Sequence, residues 1–239
     1  MSEDTLRARV SAIRERIAAA AQRVGRRADD ITLIAVSKTH PASAIREAFA
    51  LGVTHFGENR VQEWEGKRAG VHDLGGNWHL IGHLQSNKAA RAARLFHNID
   101  SLDDFALAQK LDRARAELGE TQKLRVLIEV RVAPEESKSG VAPEDLPGLA
   151  EKIQSLEHLD LCGLMCIPPF LDHPEKVRPY FSSLRELNFR LAQTLRKKLP
   201  ILSMGMSHDF EVAIEEGATE VRIGTALFGT RAALGSPSE

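Results

Sequence analysis

No apolar run in the chain approaches the ~20 residues that a membrane-spanning helix needs, which argues for a soluble protein. No sign of charge dominates either. Thirty-two Lys and Arg stand against 33 Asp and Glu, for a formal charge of −1, so nothing global favours a polyanion such as nucleic acid, and any anion site has to be local. Cysteine is nearly missing. Cys162 and Cys166, in the run LCGLMCI, have neither a zinc-ribbon nor a redox spacing and read as reduced core thiols sharing one face of a strand. The first 25 residues hold no uninterrupted apolar segment of the secretory kind, and Glu3, Asp4 and Glu15 are out of keeping with a mitochondrial presequence. A cytoplasmic protein is expected. There is no linker, low-complexity tract or break in composition that would mark a second domain.

What the chain does contain is alternation. From Ile31 onward, short β-branched runs alternate with longer stretches of helical period, the pattern of a parallel sheet covered by helices. Strands are predicted at 31–37, 53–56, 78–81, 96–99, 124–130, 159–165, 200–203 and 220–223. Eight strands is the number that closes a (β/α)₈ barrel, and 239 residues lie close to the ~250 typical of that fold. An open doubly wound sheet would show the same alternation. Residues 2–24 read as an extra helix before the barrel (31–229), and 232–239 as a frayed tail, all within one domain. A helix is expected over 102–118, capped by Ser101 and ended by Gly119.

Polar clusters fall just past the C-terminal ends of predicted strands, the face on which such barrels build their sites. In Ser37-Lys38-Thr39-His40-Pro41 a lysine ends an otherwise apolar strand. A partly desolvated amine at a barrel mouth is favoured in its neutral, nucleophilic form and suits condensation with an aldehyde, although a solvated strand-end lysine is the plainer reading. Two late clusters, Ser203 to Asp209 and Arg222 to Gly229, follow the seventh and eighth strands, where barrels commonly bind phosphate. Ser207, Gly224 and Thr225 supply a hydroxyl and small residues that let backbone N–H groups approach an anion; ordinary tight turns would use the same residues. Arg222 takes an inner-strand position between Val221 and Ile223 and needs a partner there, an internal salt bridge being the structural alternative. Gly57 to Arg60 and Ile81 to Lys88 bring Asn59, His83 and Ser86 to the same rim, as site residues or as turn and cap residues. His72, His79 and His83 do not make a metal site, because no carboxylate ligand accompanies them in sequence.

Taken in order, AVSKTHP, HFGENRVQE, WHLIGHLQSNK, GLMCIPP, LSMGMSHD and VRIGTALFG resemble the pyridoxal phosphate homeostasis protein family, which is similar to the barrel domain of bacterial alanine racemase. The resemblance runs from about Ile31 to Gly229. It implies pyridoxal 5′-phosphate as cofactor, held as a Schiff base on Lys38, with Asn59 beside the ring, Ser207, Gly224 and Thr225 on the phosphate, and Arg222 facing the pyridine nitrogen. Met204 and His83 belong to the same motifs and are candidates to line the pocket. The implied function is buffering, carriage or supply of the cofactor, with apo-forms of pyridoxal phosphate-dependent enzymes as recipients. An amino-acid racemase or lyase using the same Schiff base is the alternative. Against it, the racemases need a tyrosine base from a second domain across a dimer, while the lone tyrosine here, Tyr180, falls in a predicted helix. A non-enzymatic monomer is therefore expected.

Overall fold

The computed structural model describes residues 5–133 and 139–229; the tail expected at 232–239 lies outside them. Eight parallel strands close into a barrel in sequential order: β1 (Thr32–Val36), β2 (His55–Glu58), β3 (Asn77–Leu80), β4 (Asn98–Leu102), β5 (Leu124–Glu129), β6 (Leu159–Met165), β7 (Ile201–Met206) and β8 (Glu220–Ile223). The helices are α1 (Leu6–Arg23), α2 (Ala42–Ala50), α3 (Val61–Arg68), α4 (Ala89–Leu95), α5 (Phe105–Glu117), α6 (Leu146–Gln154), α7 (Arg178–Leu195), α8 (Phe210–Glu215) and α9 (Thr225–Phe228). None is long and apolar enough to cross a membrane.

The main core lies between strands and helices, where Trp64 of α3 stacks on Trp78 of β3 with centroids 4.1 Å apart and donates its indole N–H to the Leu95 carbonyl. The first helix begins at Thr5, whose hydroxyl accepts from the Ala8 amide. Its buried Leu6, Val10, Ile13, Ile17 and Ala20 recur at helical spacing, and it lies along α8 and α9. Arg16 and Arg23 pair with Glu211 and Glu215, and the Arg9 Nε donates to the Leu227 carbonyl at 2.7 Å.

Two expectations need correction. Ser101 does not cap α5: it lies in β4, which runs on to Leu102, and its hydroxyl donates to the Gly82 carbonyl at 2.7 Å. The cap is Asp104, whose carboxylate accepts from the Leu107 amide; Gly119 does end the helix, at φ +66°. The two cysteines, both free and buried, fall on opposite faces of β6. Cys162 packs inside the barrel with Leu127, Met165 and Ile201, while Cys166 packs in the helix-facing layer. The cause is a bulge: Val126 pairs with Leu161 but Leu127 with Gly163, and one extra residue inverts the alternation. A side chain on Gly163 would meet the Ile201 carbonyl oxygen at 1.9 Å, so only glycine lets β7 lie there.

The barrel interior also holds a polar layer that parity alone had not brought together. His79, Asp100 and Glu220, all buried, place one ligand-type atom each within 4.8 Å of the others. His79 Nδ1 lies 2.9 Å from an Asp100 oxygen, and its Nε2 lies 2.9 Å from His55 Nδ1. Burial and the neighbouring His79 push His55 down to about 4, so it accepts as a neutral ring. Burial opposes charge on His79, but Asp100 outweighs it and the value rises. Glu220 keeps one carboxylate oxygen without a partner, and burial next to Asp100 pushes it up to about 7 against the opposing pull of His79, Arg125 and Arg222.

A folded-state value above the unfolded one gives Glu220 a contribution to stability that is complete below pH ~4.5 and lost as pH rises to about 7. Glu220→Gln should therefore match the parent near pH 4.5 and exceed its unfolding free energy by roughly 1–3 kcal/mol at pH 8. Urea unfolding at both pH values checks this, and a difference independent of pH would contradict it.

Candidate functional site

Strand register brings the expected residues to one end of the barrel. Val36 pairs with Gly57, the Ser37 amide donates to the Gly57 carbonyl, and Ala35 pairs with Ile223, so Lys38, Asn59 and Gly224 follow adjacent strand ends. Lys38 is half-buried, and its amine has no hydrogen-bond or ion-pair partner among the described residues. His40, two residues on, stacks on Phe228 with centroids 4.7 Å apart, which ties this loop to α9.

Arg222 is 3% exposed and points into the barrel. One terminal nitrogen donates to the Ser203 hydroxyl at 2.8 Å and the other to the Cys166 carbonyl at 2.7 Å. The salt bridge expected of it as a purely structural residue is not formed; among the described residues no carboxylate lies within ion-pair distance. Burial instead pushes the nearby carboxyl groups of Glu129 and Asp209 upward, against the pull of Arg222 itself. The site therefore has a buried cation met, among the described residues, by neutral acceptors only, an arrangement that favours an electron-rich group from outside the chain.

Beside it, the Ser207 hydroxyl accepts from the Ala226 amide at 3.3 Å and keeps its own proton to donate. The amides of Gly224 and Thr225, at the start of α9, have no acceptor among the described residues. Nothing in the protein demands glycine at 224: its φ is −109°, and an added Cβ would meet only Val36, at 3.4 Å. Two N–H groups without an acceptor among the described residues, next to a hydroxyl, fit an anionic oxygen cluster.

Other expectations fare differently. Met204 does not line this pocket: it is fully buried in the layer between barrel and helices, because β7 runs to Met206 and places Ser203, not Met204, on the inner face. His83 sits on the rim with its side chain 58% exposed, 3.6 Å from Asp103. Asn59 is half-buried, and its backbone lies so close to Gly82 that a Cβ there would fall 2.5 Å from the Asn59 oxygen. Tyr180 lies in α7 and packs against the outer core. Three residues behind Lys38 had no assigned place in the site. Glu58 accepts from the Ser37 hydroxyl at 2.7 Å, and Lys67 bridges Glu58 and Glu63. The i,i+4 spacing of Glu63 and Lys67 is the sequence signal that could have marked them.

Comparison with known proteins bears on the chain as a whole. The family model described as alanine racemase, N-terminal domain, matches residues 9–232. Among curated relatives, the pyridoxal phosphate homeostasis protein of Aquifex aeolicus is 48% identical over 223 residues, covering 93% of this chain and 97% of its own length. The protein of the same name from Pseudomonas aeruginosa is 47% identical over 227 residues, covering 95% and 96%. The solved structure of PipY from Synechococcus elongatus PCC7942 with PLP bound superposes with a TM-score of 0.83 at 40% identity, covering 94% of this chain and all of that one.

Because Gly82 is held by backbone rather than by a flexible side chain, Gly82→Ala should displace the Asn59 segment and cost roughly 1–3 kcal/mol of stability. Gly148→Ala in α6, where an added Cβ meets nothing within 4 Å, should be neutral or stabilising by up to ~1 kcal/mol. Denaturant unfolding of the two variants checks the contrast, which equal effects would remove.

Proposed function

Since the chain belongs to the pyridoxal phosphate homeostasis proteins, within the alanine racemase N-terminal domain family, we propose that it binds pyridoxal 5′-phosphate through a Schiff base on Lys38 and buffers, carries or supplies it. The observation that carries this reading is the pairing at one barrel mouth of an amine, Lys38, and a buried cation, Arg222, that among the described residues have no partner and no carboxylate respectively. When bound, the cofactor supplies an aldehyde carbon and an electron-withdrawing ring.

The chain's own residues divide the work of holding it. Lys38 supplies the amine nucleophile from a strand end. Ser207 and the N–H groups of Gly224 and Thr225 donate to the phosphate, at the positive end of a short helix. Arg222 presents its guanidinium to the pyridine nitrogen while Ser203 and the Cys166 carbonyl fix its plane, and Asn59 borders the ring. A cation at that nitrogen keeps it unprotonated and the ring a poor electron sink. The reading therefore extends to a cytoplasmic, monomeric carrier without physiological turnover, with apo-forms of pyridoxal phosphate-dependent enzymes as recipients. The position of Tyr180 in the outer layer supports it, since a racemase needs a second base on the opposite face of the substrate.

Borohydride reduction of the loaded protein, followed by peptide mapping, tests the linkage. The cofactor should be fixed on Lys38, and Lys38→Ala should lose the visible absorbance of the bound cofactor while keeping the fold. Equal fixation in the variant would overturn the assignment.

A further inference from the structure

The two peptides that flank Lys38 are both held by one part-buried ion pair of α3, Glu63 and Lys67. Lys67 Nζ donates to the Ser37 carbonyl at 2.8 Å, to Glu58 at 3.0 Å and to Glu63 at 2.7 Å, which uses all three of its N–H donors. Glu58, with its side chain fully buried, also accepts from the Ser37 hydroxyl. Glu63 accepts from the Thr39 amide. Thr39 has φ +66°, a left-handed conformation that branched L residues avoid, and it persists only where its surroundings over-determine it. The same bonds distinguish two lysines: Lys67 is saturated, while Lys38 has no partner among the described residues.

We propose that Glu63 and Lys67 are positioning residues for the Lys38 amine, holding residues 37 and 39 so that the lysine leaves the backbone in one direction, toward the barrel mouth. The inference rests on the reading that Lys38 carries the cofactor. Anchoring α3 does not require the ionic group, because Val61 and Trp64 already bury that helix's apolar face. Nor is Glu63 there as a buried neutral acid. Its burial pushes its value up, but the bonds from Lys67 and the Thr39 amide prevail and the value falls, so it accepts as a carboxylate.

The test uses Glu63→Ala, Glu63→Gln and the double variant Glu63→Ala with Thr39→Gly. Two readouts are needed: hydrogen exchange of the Thr39 amide in cofactor-free protein, and borohydride-fixed pyridoxal phosphate on Lys38. Glu63→Ala should speed Thr39 exchange and slow fixation about tenfold, while circular dichroism shows an intact fold. Glu63→Gln keeps an acceptor oxygen and should retain most of the fixation rate. The double variant should recover at least half of the loss, because glycine adopts φ +66° without help. The proposal is overturned if Glu63→Ala speeds exchange yet fixes the cofactor at the parental rate, or if the folded double variant recovers nothing. A parent protein that fixes no cofactor while its Thr39 amide remains protected would instead overturn the functional reading, and this inference with it.

Discussion

The site depends on a positive charge buried among neutral acceptors. Among the described residues Arg222, inside the barrel, has only Ser203 and a carbonyl for partners, and the acids around it are pushed by burial toward their neutral forms. Removing a guanidinium from water without a counter-ion is costly, and hydrogen bonds to a hydroxyl and a carbonyl offset that cost only in part. A ligand with a lone pair at that point, and an anionic group beside it at the start of α9, would complete what the fold leaves incomplete. Loading the site should thus stabilise the barrel as well as retain the cofactor.

Two sets of constraints bring the amine to that cation. Parallel register sets Lys38, Asn59 and Gly224 side by side at consecutive strand ends, and His40 stacked on Phe228 joins the first loop to the last helix. From outside, α1 reaches α9 through Arg9 and the Leu227 carbonyl, so the helix that precedes the barrel also steadies the helix that follows its last strand. From behind, the group of Glu58, Glu63 and Lys67 grips the peptides on either side of Lys38. Deeper in the barrel lies the polar layer of His79, Asp100 and Glu220, in which His79 is hydrogen-bonded to Asp100 and His55 while Glu220 keeps a carboxylate oxygen without a partner among the described residues.

Much of this was legible in the sequence, because strand runs and their polar ends are local signals. β6 and β8 begin and end where their β-branched runs do, and Lys38, Asn59, Ser207, Arg222, Gly224 and Thr225 all gather where the alternation put them. What failed was whatever depended on counting residues through an irregular strand. The bulge at Gly163 put Cys162 and Cys166 on opposite faces, and the inward turn of Ser203 towards Arg222 left Met204 outside the pocket. β4 extended through Ser101 because that hydroxyl found the Gly82 carbonyl across the sheet, a long-range bond that no local pattern announces. The meeting of Asp100 and Glu220 at His79 likewise needs barrel closure, which brings β8 back to the early strands.

On the proposed reading, this mouth holds pyridoxal phosphate without putting it to use on amino acids, since Arg222 at the ring nitrogen would weaken the electron sink and Tyr180 lies in the outer layer. Following Cα deuteration and chirality of L-alanine and a panel of other amino acids, with loaded protein in deuterium oxide, tests it most directly. The account predicts at most slow, non-catalytic exchange. Turnover near the ~1–10³ s⁻¹ usual for enzymes would contradict it and establish the racemase or lyase reading in its place.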